Sequence, residues 1–187
     1  RPVSVNEINE LQEKMNNTII ASGGSAANSA VGFSLLGGSS AFIGRVKNDD
    51  FGSLYINDLK EANVDFISDP VDLGDETGRC LVYVSPDAQR SMRTYLGAAS
   101  NLSPENLNID AFENSEIVYM EGYLWDEPVA KEAYKKAFAI SKDLEIKSAL
   151  SLSDKFCVEK WREEFRGLTE NTDIVFVCVQ TPTDPDT

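Results

Sequence analysis

Histidine is absent from the 187 residues, which removes every imidazole base, Ser-His pair and His-ligated metal from the chemistry this chain can supply. Cysteine is scarce. Cys80, Cys157 and Cys178 are odd in number and lack metal-ligand spacing, a pattern of free thiols in a reducing cytoplasm rather than of a disulfide framework. Positive charge is in deficit too, with 17 Lys plus Arg against 31 Asp plus Glu and a net charge of -14. That balance opposes attraction to nucleic acid and to anionic lipid. No apolar run approaches the ~18 residues needed to cross a bilayer. The opening Arg1-Pro2-Val3-Ser4-Val5-Asn6-Glu7 has neither the apolar stretch nor the cleavage site of a secretory signal, and reads as an internal segment. The expectation is a soluble, cytoplasmic protein with no nucleic-acid and no membrane partner. Phosphate binding stays open, because local amides and a few basic side chains set the field in a pocket.

What is present is ordinary globular material, 42% hydrophobic, of a length that suits one domain. Short apolar runs predict strands at 41–46, 117–120, 147–152 and 173–179, and amphipathic stretches predict helices at 27–36, 51–62, 127–142 and 157–168. This alternation points to an α/β fold with a doubly wound, mostly parallel sheet. One segment breaks the pattern. Residues 79–85 and 90–96 are two strand-like runs joined by Pro86-Asp87-Ala88-Gln89, which predicts an antiparallel hairpin. Cys80, Val82 and Val84 share one of its faces, as do Met92, Thr94 and Leu96. The hairpin is either a small β lid over a cleft or an addition to a sheet edge.

The most informative motif is Gly23-Gly24-Ser25-Ala26-Ala27-Asn28. The two glycines let a ligand approach the backbone, the first helical amides are unpaired donors, and Ser25 is a reasonable cap. Asn28 offers a donor and an acceptor, which suits neighbouring sugar hydroxyls. The following helix carries Ala27, Ala30, Val31, Phe33, Leu35 and Leu36 on nearly all sides and is expected to be buried. Neither Gly-x-Gly-x-x-Gly nor a Gly-Lys-Ser/Thr phosphate loop occurs. Taken alone, Gly-Gly-Ser is equally a turn into a buried helix.

The motif is followed by Leu36-Gly37-Gly38, a short strand, and Gly44-Arg45-Val46-Lys47-Asn48-Asp49-Asp50-Phe51-Gly52. Together they resemble the N-terminal signature of the ribokinase-like, phosphofructokinase-B family of kinases, with Lys47 where a glycine is usual. Thr77-Gly78-Arg79-Cys80 and the 90–99 segment resemble lid strands of adenosine kinases. The resemblance covers roughly residues 1–177. It implies a single, partial ribokinase-like domain over 1–187, with lid strands at about 41–46 and 77–97 and an atypical tail at 178–187. It places ribose hydroxyls on Gly23, Gly24 and Asn28, the base near Cys80, Met92 and Thr94, and the phosphates near Arg90.

Other residues follow from position. Glu121 lies at the carboxyl end of a predicted strand, where open α/β sheets bind ligands, so it is a candidate ribose contact, with Tyr123 or Trp125 as a base wall. Asp49, Asp154 and Asp126 each precede a helix and are expected to cap it. The family's Gly-Ala-Gly-Asp segment, its Asn-x-x-Glu motif and its first strand with a ribose-binding Asp do not occur in these residues. No catalytic residue and no metal ligand is therefore assigned, and MgATP is expected of a full-length parent only. The isolated chain is expected to be inactive, a binder of a small-molecule nucleoside or sugar. It would be a monomer or a lid-mediated homodimer. The tail from Val177 weakly resembles the Val-x-Thr-Pro loop of nucleotide-sugar dehydrogenases.

Overall fold

The structure is a computed structural model and describes residues 2–177; the 178–187 tail singled out above lies outside them. The chain divides into two compact units, Arg1–Leu102 and Ser103–Thr187.

The first unit opens with a helix that the apolar pattern did not reveal, α1 (Val5–Glu13). It is mostly polar and buries one side chain, Ile8, and Ser4 caps it by accepting from the Glu7 amide at 3.3 Å. Next come α2 (Ser25–Leu35), β1 (Ser40–Phe42), α3 (Asp50–Glu61) and β2 (Val64–Phe66). β1 and β2 pair in parallel across α3, in register Ser40 to Val64, as a βαβ crossover requires. Ala27, Leu59 and Val64 form the core between them. Phe42, Tyr55 and Phe66 add a ring cluster with centroids 6.1–6.2 Å apart. The strand expected over 41–46 ends at Phe42. Beyond it the Gly44 amide donates to Ser68 Oγ, and pairing resumes only as an isolated bridge between Lys47 and Val71.

β3 (Arg79–Val84) and β4 (Arg90–Tyr95) form the expected antiparallel ribbon. Its turn is closed by Ser85 N–H to Gln89 O at 3.0 Å and Ala88 N–H to Ser85 O at 2.9 Å. Ala88 sits at φ 63, the left-handed position that longer hairpin loops use. α1 packs on this ribbon. Arg79 ties the two together, donating to Gln12 and Asn9 at 2.8 Å each and to Glu76 at 2.6 Å. Val3 N–H donates to Thr94 O at 2.9 Å, on the outer edge of β4.

The second unit is a three-stranded parallel sheet, order β5 (Ile117–Glu121), β6 (Lys147–Ser151), β7 (Ile174–Phe176). α4 (Ile109–Glu113) precedes it, α5 (Pro128–Asp143) links β5 to β6, and α6 (Lys155–Lys160) with α7 (Arg162–Thr169) links β6 to β7. Ala130, Ala133 and Ala137 give α5 a flat buried stripe, which lets a helix pack closely. Trp125, Tyr134 and Phe165 pack together edge-on and tilted, Trp125 standing 6.1 Å from each of the other two rings. The single helix expected over 157–168 is two helices broken at Trp161. That indole donates to Asp126 Oδ1 at 2.7 Å and lies 3.7 Å from Lys131 Nζ, contacts that take Trp161 out of helical geometry at φ -114, ψ 24.

Among the described residues, no helix is long and apolar enough to cross a membrane.

Candidate functional site

In the first unit the site is built at the start of α2. Gly24 is the cap residue, at φ 102 and ψ 135, a backbone conformation open in practice only to glycine. A Cβ on Gly23 or Gly24 would meet no atom within 4 Å, so Gly24 is required by its backbone angle and not by crowding. Ser25 does not cap the helix as expected. It is the first helical residue, and no side chain caps α2, because Gly24 occupies the cap position and has none to offer. The first turn also lacks an acidic residue, so the amides and the positive end of the helix dipole are left to an outside acceptor. The approach is pinned by Asp58 of α3, which accepts from the Ser22 amide at 2.8 Å. Asn28 lies one turn in and is exposed. Its side-chain amide has no partner among the described residues, while its backbone N–H donates to Gly24 O at 2.8 Å.

The rest of α2 departs from expectation. Ala27 is its one buried residue, and Phe33, Leu35 and Leu36 are 56%, 76% and 89% exposed. Apolar residues all round a helix argue for burial, but the first unit supplies β1, β2 and α3 on one side only.

On the ribbon the register sets Cys80 opposite Thr94, Val82 opposite Met92 and Val84 opposite Arg90. All six therefore share one face, and the Thr94 hydroxyl donates to Cys80 Sγ at 3.3 Å. Leu81 and Tyr83, on the opposite face, are partly buried, whereas Cys80, Val82, Val84, Met92 and Arg90 are exposed. The base of the ribbon is held by Asp49. Its carboxylate caps α3 through Gly52 N–H at 2.8 Å, and accepts from the Thr77 amide at 3.0 Å and hydroxyl at 2.6 Å. Burial raises this carboxyl, but the bonds from Thr77 and Gly52 and the charge of Lys47 outweigh it and hold the group below its usual range.

In the second unit Glu121 ends β5 and is 8% exposed. Oε1 accepts from Ser153 Oγ at 2.7 Å and Oε2 from Tyr119 OH at 2.8 Å, while its carbonyl accepts from Tyr134 OH at 2.6 Å. Burial, with the Glu121 charge beside it, pushes the Tyr134 phenol well above its ordinary value, so it stays a donor. Trp125 is not a wall of any open site. It is 2% exposed and belongs to the core, because its ring packs on Tyr134 and Phe165 and its Nε1 reaches Glu164 at 3.1 Å. Tyr123 is exposed. Asp154 caps α6 as expected, accepting from Cys157 N–H at 2.9 Å. Asp126 does not cap α5. Glu127 holds that position, and Asp126 instead accepts from Trp161 and pairs with Lys160.

Sequence reasoning missed Tyr119, Tyr134 and Asp58, and placed Ser153 only at the carboxyl end of a predicted strand. Strand alternation puts Tyr119 on the same face as Glu121, so that contact carried a signal. The position of Ser153 at a strand end was legible but its bond to Glu121 was not, since that approach depends on the pairing of Glu121 with Ser151. Among the described residues no cluster of acidic or cysteine side chains could hold a metal ion.

Parallel βαβ units, an antiparallel ribbon and an uncapped glycine entry to a helix fit the ribokinase-like class that the motifs resemble. Residues 3–177 match the pfkB family of carbohydrate kinases, and the chain belongs to that family. By sequence it is 30% identical, over 83% of its length and 42% of the relative's, to "Probable fructokinase-6, chloroplastic" of Arabidopsis thaliana. By structure it is similar to the adenosine kinase of Sinorhizobium meliloti, with TM-score 0.87 and 39% identity over 94% of this chain and 54% of that one. It is also similar to an uncharacterized sugar kinase of Pyrococcus horikoshii in complex with ATP, with TM-score 0.70 and 29% identity over 82% and 52% of the two chains. The chain thus spans about half the length of the proteins it matches.

Proposed function

We propose that these residues are the substrate-binding portion of a kinase which, as a whole protein, moves the γ-phosphate of MgATP to the 5′-hydroxyl of a ribonucleoside, adenosine in the first place. Gly23, Gly24 and Asn28 hold ribose hydroxyls, and Glu121 is a further ribose contact. The exposed ribbon face of Cys80, Met92 and Thr94 takes the base, and Arg90, at the end of that face, approaches the phosphates.

The observation that carries this reading is the start of α2. There Gly24 at φ 102 removes any capping side chain, and the exposed Asn28 amide brings a donor and an acceptor to the same turn. Such a set suits adjacent hydroxyls. The identity of 39% to an adenosine kinase supports a nucleoside. A second reading, a free sugar, is favoured by the 30% identity to a fructokinase. No step of phosphate transfer is derived from the described residues, and the 187 residues alone are read as a cytoplasmic binder without turnover. The exposed ribbon leaves a monomer or a ribbon-mediated homodimer as the assembly.

Calorimetric titration of the purified chain with adenosine, ribose and fructose tests the ligand, and adenosine is expected to bind most tightly. Tighter binding of fructose would select the second reading. An ATP-consumption assay on the same chain is expected to show no adenosine-dependent turnover, and detectable turnover would overturn the assignment of a binding role alone.

A further inference from the structure

The environment of Glu121 is unusual for a buried carboxylate. A buried charge is ordinarily paired with a cation, yet among the described residues no Lys or Arg pairs with Glu121. Both oxygens are engaged by neutral hydroxyls instead, Ser153 Oγ at 2.7 Å and Tyr119 OH at 2.8 Å.

The donor on Ser153 is placed at a conformational cost. Ser153 is a buried, non-glycine residue at φ 65, the left-handed region that L side chains avoid. Strain of this kind persists where surrounding structure over-determines it, and it clusters at functional sites. The surroundings here are specific. Ser153 N–H donates to Ser151 Oγ at 3.1 Å, and Ser151 is the strand partner of Glu121. A Cβ on Gly122 would come within 3.1 Å of Ser153 Oγ and 2.9 Å of Ser151 O, so the two strand ends lie against each other without slack.

We propose that Ser153 and Tyr119 are positioning residues whose hydroxyls hold the Glu121 carboxylate as an oriented acceptor for a ligand hydroxyl. The inference rests on the reading of Glu121 as a ribose contact. Each carboxylate oxygen has lone-pair capacity beyond the one bond it accepts, and an ionised carboxylate accepts only. The group it selects is therefore a hydroxyl or another donor, and it repels a phosphate at the same point.

The test is calorimetry on the 187-residue chain with adenosine, ribose and fructose as probes, alongside thermal unfolding of each variant. The variants are Glu121→Gln, Tyr119→Phe, Ser153→Ala and Ser153→Gly. Glycine accepts φ 65 without strain, so Ser153→Gly removes the hydroxyl while relieving the backbone. Because it also takes a donor from a buried carboxylate, it is expected to lower the unfolding midpoint less than Ser153→Ala does and yet weaken binding about tenfold, with Tyr119→Phe weakening it by a similar factor, as loss of a bond to a charged group does. Unchanged binding by Ser153→Gly and Tyr119→Phe, with Glu121→Gln impaired, overturns the positioning role and leaves Glu121 as a ligand contact. Weakening that merely tracks the fall in unfolding midpoint, greater for Ser153→Ala than for Ser153→Gly, overturns it too. Normal binding by Glu121→Gln, or no binding of any probe by the unaltered chain, removes the ligand reading of Glu121 and the inference with it.

Discussion

The start of α2 and the end of β5 solve opposite problems with polar groups. Among the described residues, the α2 amides ahead of Asn28 and the Asn28 side chain are left without internal partners, and a glycine occupies the one position where a cap could have satisfied them. At β5 the reverse holds, with both Glu121 oxygens and its carbonyl engaged by hydroxyls. Open backbone donors on a solvent-facing turn cost little, because water serves them until a ligand does. A buried carboxylate has no such reserve and must be held from within. The first place is therefore tuned by omission and the second by added donors, and substitutions should separate them.

The largest effect is expected in the second unit. Trp125→Ala empties a site enclosed by Tyr134 and Phe165 and should cost about 3–5 kcal/mol in urea unfolding. A value near zero would place Trp125 outside the core and reopen it as a ligand wall. Next in size is Gly24→Ala. The conformation at φ 102 should cost about 1–3 kcal/mol, whereas Gly23→Ala, with open space around its Cβ, should stay within about 0.5 kcal/mol. Both should weaken adenosine binding. Equal stability losses would show that crowding, and not the backbone angle of Gly24, governs the turn.

A smaller effect concerns acid unfolding. The Asp49 carboxyl lies below its usual range in the folded state. It therefore contributes stability above its unfolded pKa and loses that contribution as pH falls through the folded value. Thr77→Val removes the hydroxyl bond and raises the folded value, so acid unfolding followed by circular dichroism should begin at a higher pH. An unmoved acid limb would show that the Gly52 and Thr77 amides suffice. The smallest change is chemical. Cys157 is buried and its thiol is pushed up to about 11, by burial first and then by Asp154, whereas Cys80 is exposed. Iodoacetamide at neutral pH, read by peptide mass mapping, should modify Cys80 well before Cys157. Equal rates would mean that α6 opens readily.

Much of the architecture was legible in the order of apolar runs. The four predicted helices and the ribbon occur within a residue or two of their predicted places, with one predicted helix divided. α1 was not legible, since a helix that buries only Ile8 leaves almost no periodic signal. The break at Trp161 was hidden as well, because it depends on Asp126 and Lys131, far away in sequence. At the candidate site, Gly23, Gly24 and Asn28 could be read because their argument is local. A helix start is made of consecutive residues, and φ preference belongs to glycine itself.

The sequence by itself determined the kind of protein, since chain order, glycine placement and strand alternation are local properties that name the family and put Met92 and Thr94 on one face of their strand. Only tertiary structure decided which polar groups are satisfied. It took Ser25 and Asp126 out of capping roles, sent Trp125 to the core, exposed the α2 leucines, and brought Ser153 onto Glu121. Each of these outcomes turns on what lies opposite a side chain across a sheet or helix contact, and that partner is set by packing between segments distant in the chain.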